Sequence, residues 1–175
     1  IYLTIVLIVA IFGEYIAPYG ASERIMIDGA LARAESPSLA HPLGTTDSGY
    51  DVLSRVLIGA RPTAITGLLG GTLIISIGLT ISLTAGYVGG RVDDILMRVT
   101  DLFFAIPFIP FALVVLAFFG AGFYTSIAII GFLLWRGNAR VIRAQVLQIK
   151  ERPYITASRA SGASDTRIVL KHILP

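Results

Sequence analysis

Cysteine is absent from this chain of 175 residues, and charged side chains are scarce. Without cysteine the chain has no disulfide framework and no thiolate metal site. Charged residues make up 14% of the sequence, against about 25% in soluble domains, and 55% of the residues are hydrophobic. The mean hydropathy is +0.79. This composition excludes an ordinary soluble domain and indicates a membrane protein.

The sequence also lacks the motifs that enzymes and nucleotide-binding proteins use. No Gly-x-x-x-x-Gly-Lys-Ser/Thr phosphate loop occurs, so the chain itself is not expected to bind ATP. His41 and His172 fall in segments that are predicted below to lie on opposite sides of the membrane, so they cannot form one metal site. No His-Glu-x-x-His motif is present either. We therefore predict no catalytic residue, no bound cofactor and no metal. The net charge of +3 is small, so nucleic acid is not an expected partner.

Long apolar runs take the place of the missing charge. A bilayer core needs about 20 apolar residues per helix. The sequence predicts spans at 1–19, 63–87 and 102–119, and a fourth that starts in 122–135 and continues towards Ile142. The predicted fold is all-α and polytopic, with about four transmembrane helices. The predicted organisation begins with a truncated first span at 1–19 and an external loop at 20–62. Spans two to four then lie within 63–150, with an inner loop at 88–101. Cytoplasmic helices follow at 151–175, and further C-terminal spans are expected to be absent.

Basic residues indicate the orientation of these spans. After Trp135 the chain carries Arg136, Arg140, Arg143, Lys150, Arg152, Arg159, Arg167 and Lys171. The loop before the second span has fewer basic residues, and acidic residues dilute them. Because cytoplasmic loops are enriched in Lys and Arg, the tail is predicted to be cytoplasmic. With four spans, the first residues of the chain lie on the same side, and the 20–62 loop faces outward.

The tail itself, residues 153–175, is predicted to form two short helices with a bend between them. Pro153 can begin a helix because the first turn does not need its N–H. Gly162 suits the left-handed conformation that ends a helix. Ser164 or Asp165 can cap the second helix. Such a segment is too polar for lipid and too apolar for a free tail, which indicates that it binds another protein. The apolar positions of the second helix are Ile168, Val169, Leu170 and Ile173.

The spacing of residues in this tail follows a known pattern. Thr156–Ser158 takes the place of a Glu-Ala-Ala triplet, Gly162 follows after three residues, and Leu174–Pro175 ends the segment. Two positions depart from the pattern: Thr replaces the opening Glu, and His172 occupies an Ile position, with Ile173 one residue later. With these departures, the tail resembles the cytoplasmic coupling loop of bacterial ABC importer permeases.

Two upstream stretches resemble the same family. His41–Arg55 is similar to the segment ahead of the second membrane helix in dipeptide and oligopeptide permeases, and Ala85–Asp93 is similar to the loop after that helix. The three stretches come in family order. The chain therefore resembles a fragment of a permease subunit of the dipeptide/oligopeptide/nickel permease family.

The resemblance implies a partial type I ABC importer permease fold in the cytoplasmic membrane of a bacterium or an archaeon. It implies four kinds of partner: a sister permease subunit, cytoplasmic ATPase subunits that bind the ATP, an external substrate-binding protein and the lipid bilayer. Peptides, nickel complexes and other small solutes share this pattern, and transport would be coupled through the 153–175 loop. The expected ATPase-docking residues are Tyr154, Ala157, Arg159, Ala160, Ser161, Gly162, Ala163 and Arg167.

Prolines, a glutamate and glycines stand out inside the apolar runs. Pro107 and Pro110 interrupt the third span and form either a hinge or a static kink. Glu14 lies near the outer end of the first span, where its carboxylate can reach the interface. Gly67 and Gly71 share a helix face that would allow close helix packing.

Two other functions are alternatives to that of an importer permease. A non-transport membrane scaffold or sensor would also have a partner-binding cytoplasmic tail, but it would not explain the Gly162-to-Pro175 spacing or the 41–51 stretch. A secondary transporter would be expected to contain internal repeats, and the sequence has none.

The predicted topology can be tested by labelling. Single cysteines introduced at Ser38 and Ser164 are expected to react with an impermeant reagent from opposite sides of the membrane, because the first lies in the external loop and the second in the cytoplasmic tail. The absence of native cysteine in these 175 residues keeps the background low. Labelling of both positions from the same side would contradict the topology.

Overall fold

The computed structural model describes residues 2–27 and 29–175, and these are mostly helical. A small antiparallel hairpin is the exception, with strand β1 (Met26–Ile27) paired to strand β2 (Ala30–Leu31). The chain divides within the second helix into two compact units, one up to Leu68 and one from Leu69 onward. The α-helices are α1 (Tyr2–Ile16), α2 (Val52–Val88), α3 (Gly90–Ala105), α4 (Phe108–Phe119), α5 (Phe123–Lys150), α6 (Pro153–Ala160) and α7 (Asp165–Ile168), and α7 continues as a π-helix (Val169–Ile173).

In the first unit, α1 packs closely against the beginning of α2. A Cβ on Gly13 would stand 2.2 Å from the backbone oxygen of Leu57, so only glycine allows this approach. Next to this contact, Glu14 Oε2 lies 3.2 Å from Arg61 Nη1, and both side chains are exposed. The charge inside the first apolar run is therefore paired with a charge on the neighbouring helix.

A buried polar cluster fixes the start of α2. His41 Nδ1 lies 3.0 Å from Asp51 Oδ1, and both side chains are buried. Asp51 Oδ2 accepts hydrogen bonds from Ser54 N–H at 2.8 Å and from Ser54 Oγ at 2.7 Å, which caps the helix. Ser54 Oγ accepts a further hydrogen bond from Tyr19 N–H at 3.1 Å. This cluster ties the chain that follows α1 to the first turn of α2.

The external loop predicted at 20–62 ends earlier than expected, because residues 52–62 belong to α2. Asp51 supplies the cap that starts the helix, and apolar residues at helical spacing follow it. Pro62 lies inside α2 and does not end it.

In the second unit, α2 and α5 run parallel and in close contact. A Cβ on Gly131 of α5 would stand 2.8 Å from the side chain of Leu73. Further along both helices, a Cβ on Gly86 of α2 would stand 2.7 Å from Val146 Cγ1. The residue numbers increase in the same direction along the two helices, and glycine supplies the close approach on each of them.

The inner loop predicted at 88–101 is wrong, because most of it is the helix α3. Two of the aspartates in this stretch pair with arginines of α5. Asp93 is buried and forms a two-pronged ion pair with Arg143. Asp101 forms a second ion pair, with Arg140. Because the pairing order is reversed along the chain, α3 runs antiparallel to the second half of α5.

The third span predicted at 102–119 is broken at Pro107. The axes of α3 and α4 differ in direction by 82°. Pro107 has no N–H to donate to the carbonyl of Phe103, four residues earlier. That carbonyl accepts hydrogen bonds from Ile106 N–H at 3.3 Å and from Arg136 Nη1 at 3.0 Å instead. Pro110 lies in the first turn of α4, where its missing N–H needs no partner.

Among the helices of the described residues, α2 is the one long and apolar enough to cross a membrane, and α3 with α4 counts as a second if the pair forms one broken span. The helix at the beginning of the chain is apolar but short, and α5 carries three arginines from its middle onward. Of the most apolar stretch of α2, 11% is buried. The apolar surface of α2 is thus free to contact lipid or another chain.

The packing of α2 on α5 can be tested by adding a single methyl group. Gly86→Ala is expected to destabilise the protein by about 1–3 kcal/mol, because the new Cβ would overlap Val146. Gly71→Ala on the same helix is the control, since no atom of the described residues lies within 4 Å of its Cβ position. The control should be neutral or stabilising by up to about 1 kcal/mol, the gain in helix propensity. Unfolding in detergent measures both, and equal stability of the two variants would contradict the packing.

The cluster around Asp51 predicts a dependence of stability on pH. Burial alone would raise the pKa of Asp51, but the hydrogen bonds from Ser54 and His41 outweigh it and hold the pKa below its usual value. Such a carboxyl stabilises the folded state above its unfolded pKa of about 3.9, and the contribution is lost as the pH falls through the folded pKa. The protection of amides around the start of α2, measured against their intrinsic exchange rates at each pH, should therefore fall in acid.

Asp51→Asn is expected to flatten this acid-side loss of protection, because the titrating carboxylate is gone. Asp47→Asn is the matched control, since it removes the same charge from an exposed position in the same loop. An unchanged pH profile in the Asp51 variant would contradict the role given to this carboxylate.

Candidate functional site

The candidate site is the coupling segment, residues 153–175, which comprises α6, the following turn, α7 and the π-helix. Its local structure agrees with the sequence-based prediction. Pro153 is the first residue of α6, and Gly162 follows that helix with φ +81°. Ser164 Oγ caps α7 by accepting a hydrogen bond from Arg167 N–H at 3.4 Å. These three predictions are confirmed.

The apolar side of the coupling segment packs against its own chain. Ile155 and Ile168 are completely buried, and they form a cluster with Ile173 and with Val146 of α5. Side chains of α2, α5 and the segment itself surround this cluster, which explains why the segment is not a free tail. The surrounding side chains are Leu83, Tyr87, Ile142, Ile149, Ala163 and Val169.

The π-helix accounts for a departure noted in the sequence. Leu174 N–H donates to the carbonyl of Val169 at 2.9 Å, a hydrogen bond that spans five residues. A π-turn takes up one more residue than an α-turn. Ile173 therefore reaches the buried cluster although it stands one position after the expected isoleucine. His172 lies outside the cluster, with Nε2 3.3 Å from Ser158 Oγ of α6.

The side of the segment opposite the cluster is exposed and made mainly of small side chains. Of the predicted docking residues, Ala163 is half-buried against the cluster. No atom of the described residues lies within 4 Å of the position that a Cβ on Gly162 would take. The predicted docking residues that are exposed are Tyr154, Ala157, Arg159, Ala160, Ser161, Gly162 and Arg167.

A polar joint connects the coupling segment to the end of α2. The hydroxyl of Tyr87 donates a hydrogen bond to Asp165 Oδ1. Arg159 Nη2 lies 3.5 Å from the same hydroxyl, so this predicted docking residue already contacts its own chain. Lys150 Nζ donates to the backbone carbonyl of Tyr87 at 2.7 Å. The joint therefore combines side chains from α2, α5, α6 and α7.

Sequence analysis did not find this joint. Tyr87 stands in the Ala85–Asp93 stretch that resembles a family loop, and Asp165 was noted as a helix cap. Nothing in the sequence places the two together, because 78 residues separate them. The described residues contain no group of three or more metal-ligating side chains that could hold an ion.

The family described as "Binding-protein-dependent transport system inner membrane component" matches residues 78–175. The match covers more than half of the chain and includes the whole coupling segment. The chain belongs to this family. The resemblance drawn from the sequence is confirmed, and the family description identifies a component of a transport system in the inner membrane.

Curated relatives extend the similarity to the rest of the chain. The chain is 33% identical to the dipeptide transport system permease protein DppC of Bacillus subtilis (strain 168), over 96% of this chain and 51% of the relative. It is 34% identical to the glutathione transport system permease protein GsiD of Pectobacterium atrosepticum, over 100% of this chain and 57% of the relative. It is 31% identical to the oligopeptide transport system permease protein OppC of Bacillus subtilis, over 100% of this chain and 56% of the relative.

The chain thus spans about half the length of the curated relatives it matches. All three relatives carry the name of a transport system permease. The alternative of a non-transport scaffold or sensor has no support from the family or from these relatives.

Proposed function

We propose that this chain is part of the membrane subunit of an ATP-driven importer, which moves peptides or similar small solutes and is coupled to a separate ATPase through residues 153–175. The coupling segment is the observation that carries the proposal. It is anchored by its apolar side and presents an exposed face of small residues, as a surface that docks into another protein requires. The names of the relatives, which mention dipeptides, oligopeptides and glutathione, favour peptides as the class of solute.

The partners of the proposed importer follow from the family. A family of binding-protein-dependent transport systems implies an external substrate-binding protein. A sister permease would complete the pathway, and cytoplasmic ATPase subunits would bind the ATP. The exposed residues of α6 and the turn would touch the ATPase, with Arg159 and Arg167 available for ionic contacts.

The proposed topology has four spans. α1 and α2 would supply two, the broken pair α3–α4 a third, and the first half of α5 a fourth. The parallel packing of α2 and α5, with α3 antiparallel to α5, supports this alternation. The coupling segment and the ends of α2 and α5 would then be cytoplasmic, and the loop that precedes α2 would face outward.

The proposed mechanism transmits movement through packed helices. When ATP closes the ATPase dimer, the docked segments would be drawn together. Because the isoleucines of the segment are packed on α2 and α5, its displacement would tilt both helices as a unit and switch access from outside to inside. The break at Pro107, held by Arg136, would serve as the hinge between α3 and α4.

The docking face can be tested at Gly162 in the native permease with its ATPase. Gly162→Val is expected to keep membrane insertion and to abolish ATPase co-purification or to uncouple ATP hydrolysis from uptake. The substitution strains a backbone with φ +81° by roughly 1–2 kcal/mol. It also adds volume on the exposed face, since no atom of the described residues occupies that space.

Gly120→Val separates these two effects. Gly120 also has φ +81° and no atom of the described residues within 4 Å of its Cβ position, but it lies in the turn after α4. With φ 81° and ψ 152° at Gly120, the control also strains the backbone but does not touch the docking face, so it should retain ATPase binding and uptake. If Gly162→Val behaves like this control, the docking role of the coupling segment is refuted.

A further inference from the structure

Two kinds of contact hold the coupling segment to the membrane helices. The first is the apolar cluster of Val146, Ile155, Ile168 and Ile173, which is strong but not directional. The second is the hydroxyl of Tyr87. In the part of the chain that the structure describes, the hydrogen bonds between residues 153–175 and α2 all pass through this hydroxyl.

Tyr87 occupies a position from which movement can be passed to several helices. It is the residue before the last of α2, and Gly89, with φ +72°, separates α2 from α3. Its backbone carbonyl is held by Lys150 at the end of α5. Its hydroxyl reaches Asp165 at the start of α7. One residue therefore joins the ends of the two parallel helices to the segment that docks.

The charges at the joint make its geometry specific. The hydroxyl donates to a carboxylate, which is a stronger and more directional bond than one between neutral groups. Arg159 approaches the same hydroxyl from α6, and its side chain also belongs to the exposed docking face. A partner that contacts Arg159 would therefore also affect the hydroxyl of Tyr87, and through it the hydrogen bond to Asp165.

We propose that Tyr87 is a positioning residue for transport: its hydroxyl fixes the angle of the coupling segment against α2, so that movement of the segment becomes movement of the helix. The inference rests on the proposed function, because it assumes that residues 153–175 receive the motion of an ATPase. The apolar cluster holds the segment in place, and Tyr87 sets its direction.

The test uses Tyr87→Phe in the native permease, assembled with its partner subunits. The ring and its packing on the cluster remain, and the hydroxyl is lost. Solute taken up per ATP hydrolysed is expected to fall roughly tenfold, the factor that corresponds to about 1.5 kcal/mol, the lower end of the range for a hydrogen bond to a charged group. Hydrogen exchange of the α7 amides should rise, while the amount of co-purified ATPase stays the same. Tyr124→Phe is the matched control, because Tyr124 is 73% exposed at the start of α5, and it should behave as wild type.

A double-mutant cycle identifies the partner of the hydroxyl. Asp165→Ala should reproduce the loss of coupling, and the double variant with Tyr87→Phe should be no worse than either single variant. Wild-type uptake per ATP in Tyr87→Phe, additive losses in the double variant, or a loss of uptake that only follows lost ATPase binding would each overturn the inference. If the wild type shows no ATP-dependent uptake, the proposed function fails, and the exchange of α7 still decides whether Tyr87 holds the segment.

Discussion

The burial of three isoleucines against Val146 is the contact on which the second unit depends. Ile155, Ile168 and Ile173 come from α6, α7 and the π-helix, and each is at most 6% exposed. Burial of one such side chain contributes about 1.5–3 kcal/mol, which exceeds the roughly 1 kcal/mol of a typical hydrogen bond. The cluster therefore decides that the segment stays on α2 and α5, and the weaker polar contacts decide how it is oriented.

Arginines on one face of α5 hold α3 in place, as the apolar cluster holds the coupling segment. Arg140 and Arg143 bind Asp101 and Asp93, two of the three aspartates of α3, and Arg136 donates to the carbonyl of Phe103 beside the bond from Ile106 N–H. The ring of Phe103 also packs edge-on against the ring of Trp135, with the ring centroids 5.1 Å apart. One neighbouring helix therefore pairs the buried charge of Asp93 and adds a hydrogen bond at the C-terminal end of α3. The same arginines served in the sequence as the signal of a cytoplasmic tail, and the structure gives part of that charge an internal partner.

Local signals in the coupling segment were read correctly because short-range geometry determines them. A proline at the first position of a helix, a glycine at positive φ and a serine cap each act within a few residues. The π-helix was not foreseen. The shift from His172 to Ile173 was visible in the sequence, but its explanation is the need of Ile173 to reach a cluster whose other members lie on different elements.

The sequence by itself determined the membrane class, the family and the helices of the tail, because composition, spacing and capping are properties of neighbouring residues. Tertiary structure decided which charges are solvated and which are paired. Asp93 and Asp101 lie in the predicted inner loop, yet they belong to the helix α3 and pair with arginines some 40 to 50 residues away. Tertiary structure also brought Tyr87 to Asp165. No local pattern encodes such a contact, since it exists only after α2, α5 and the coupling segment have packed together.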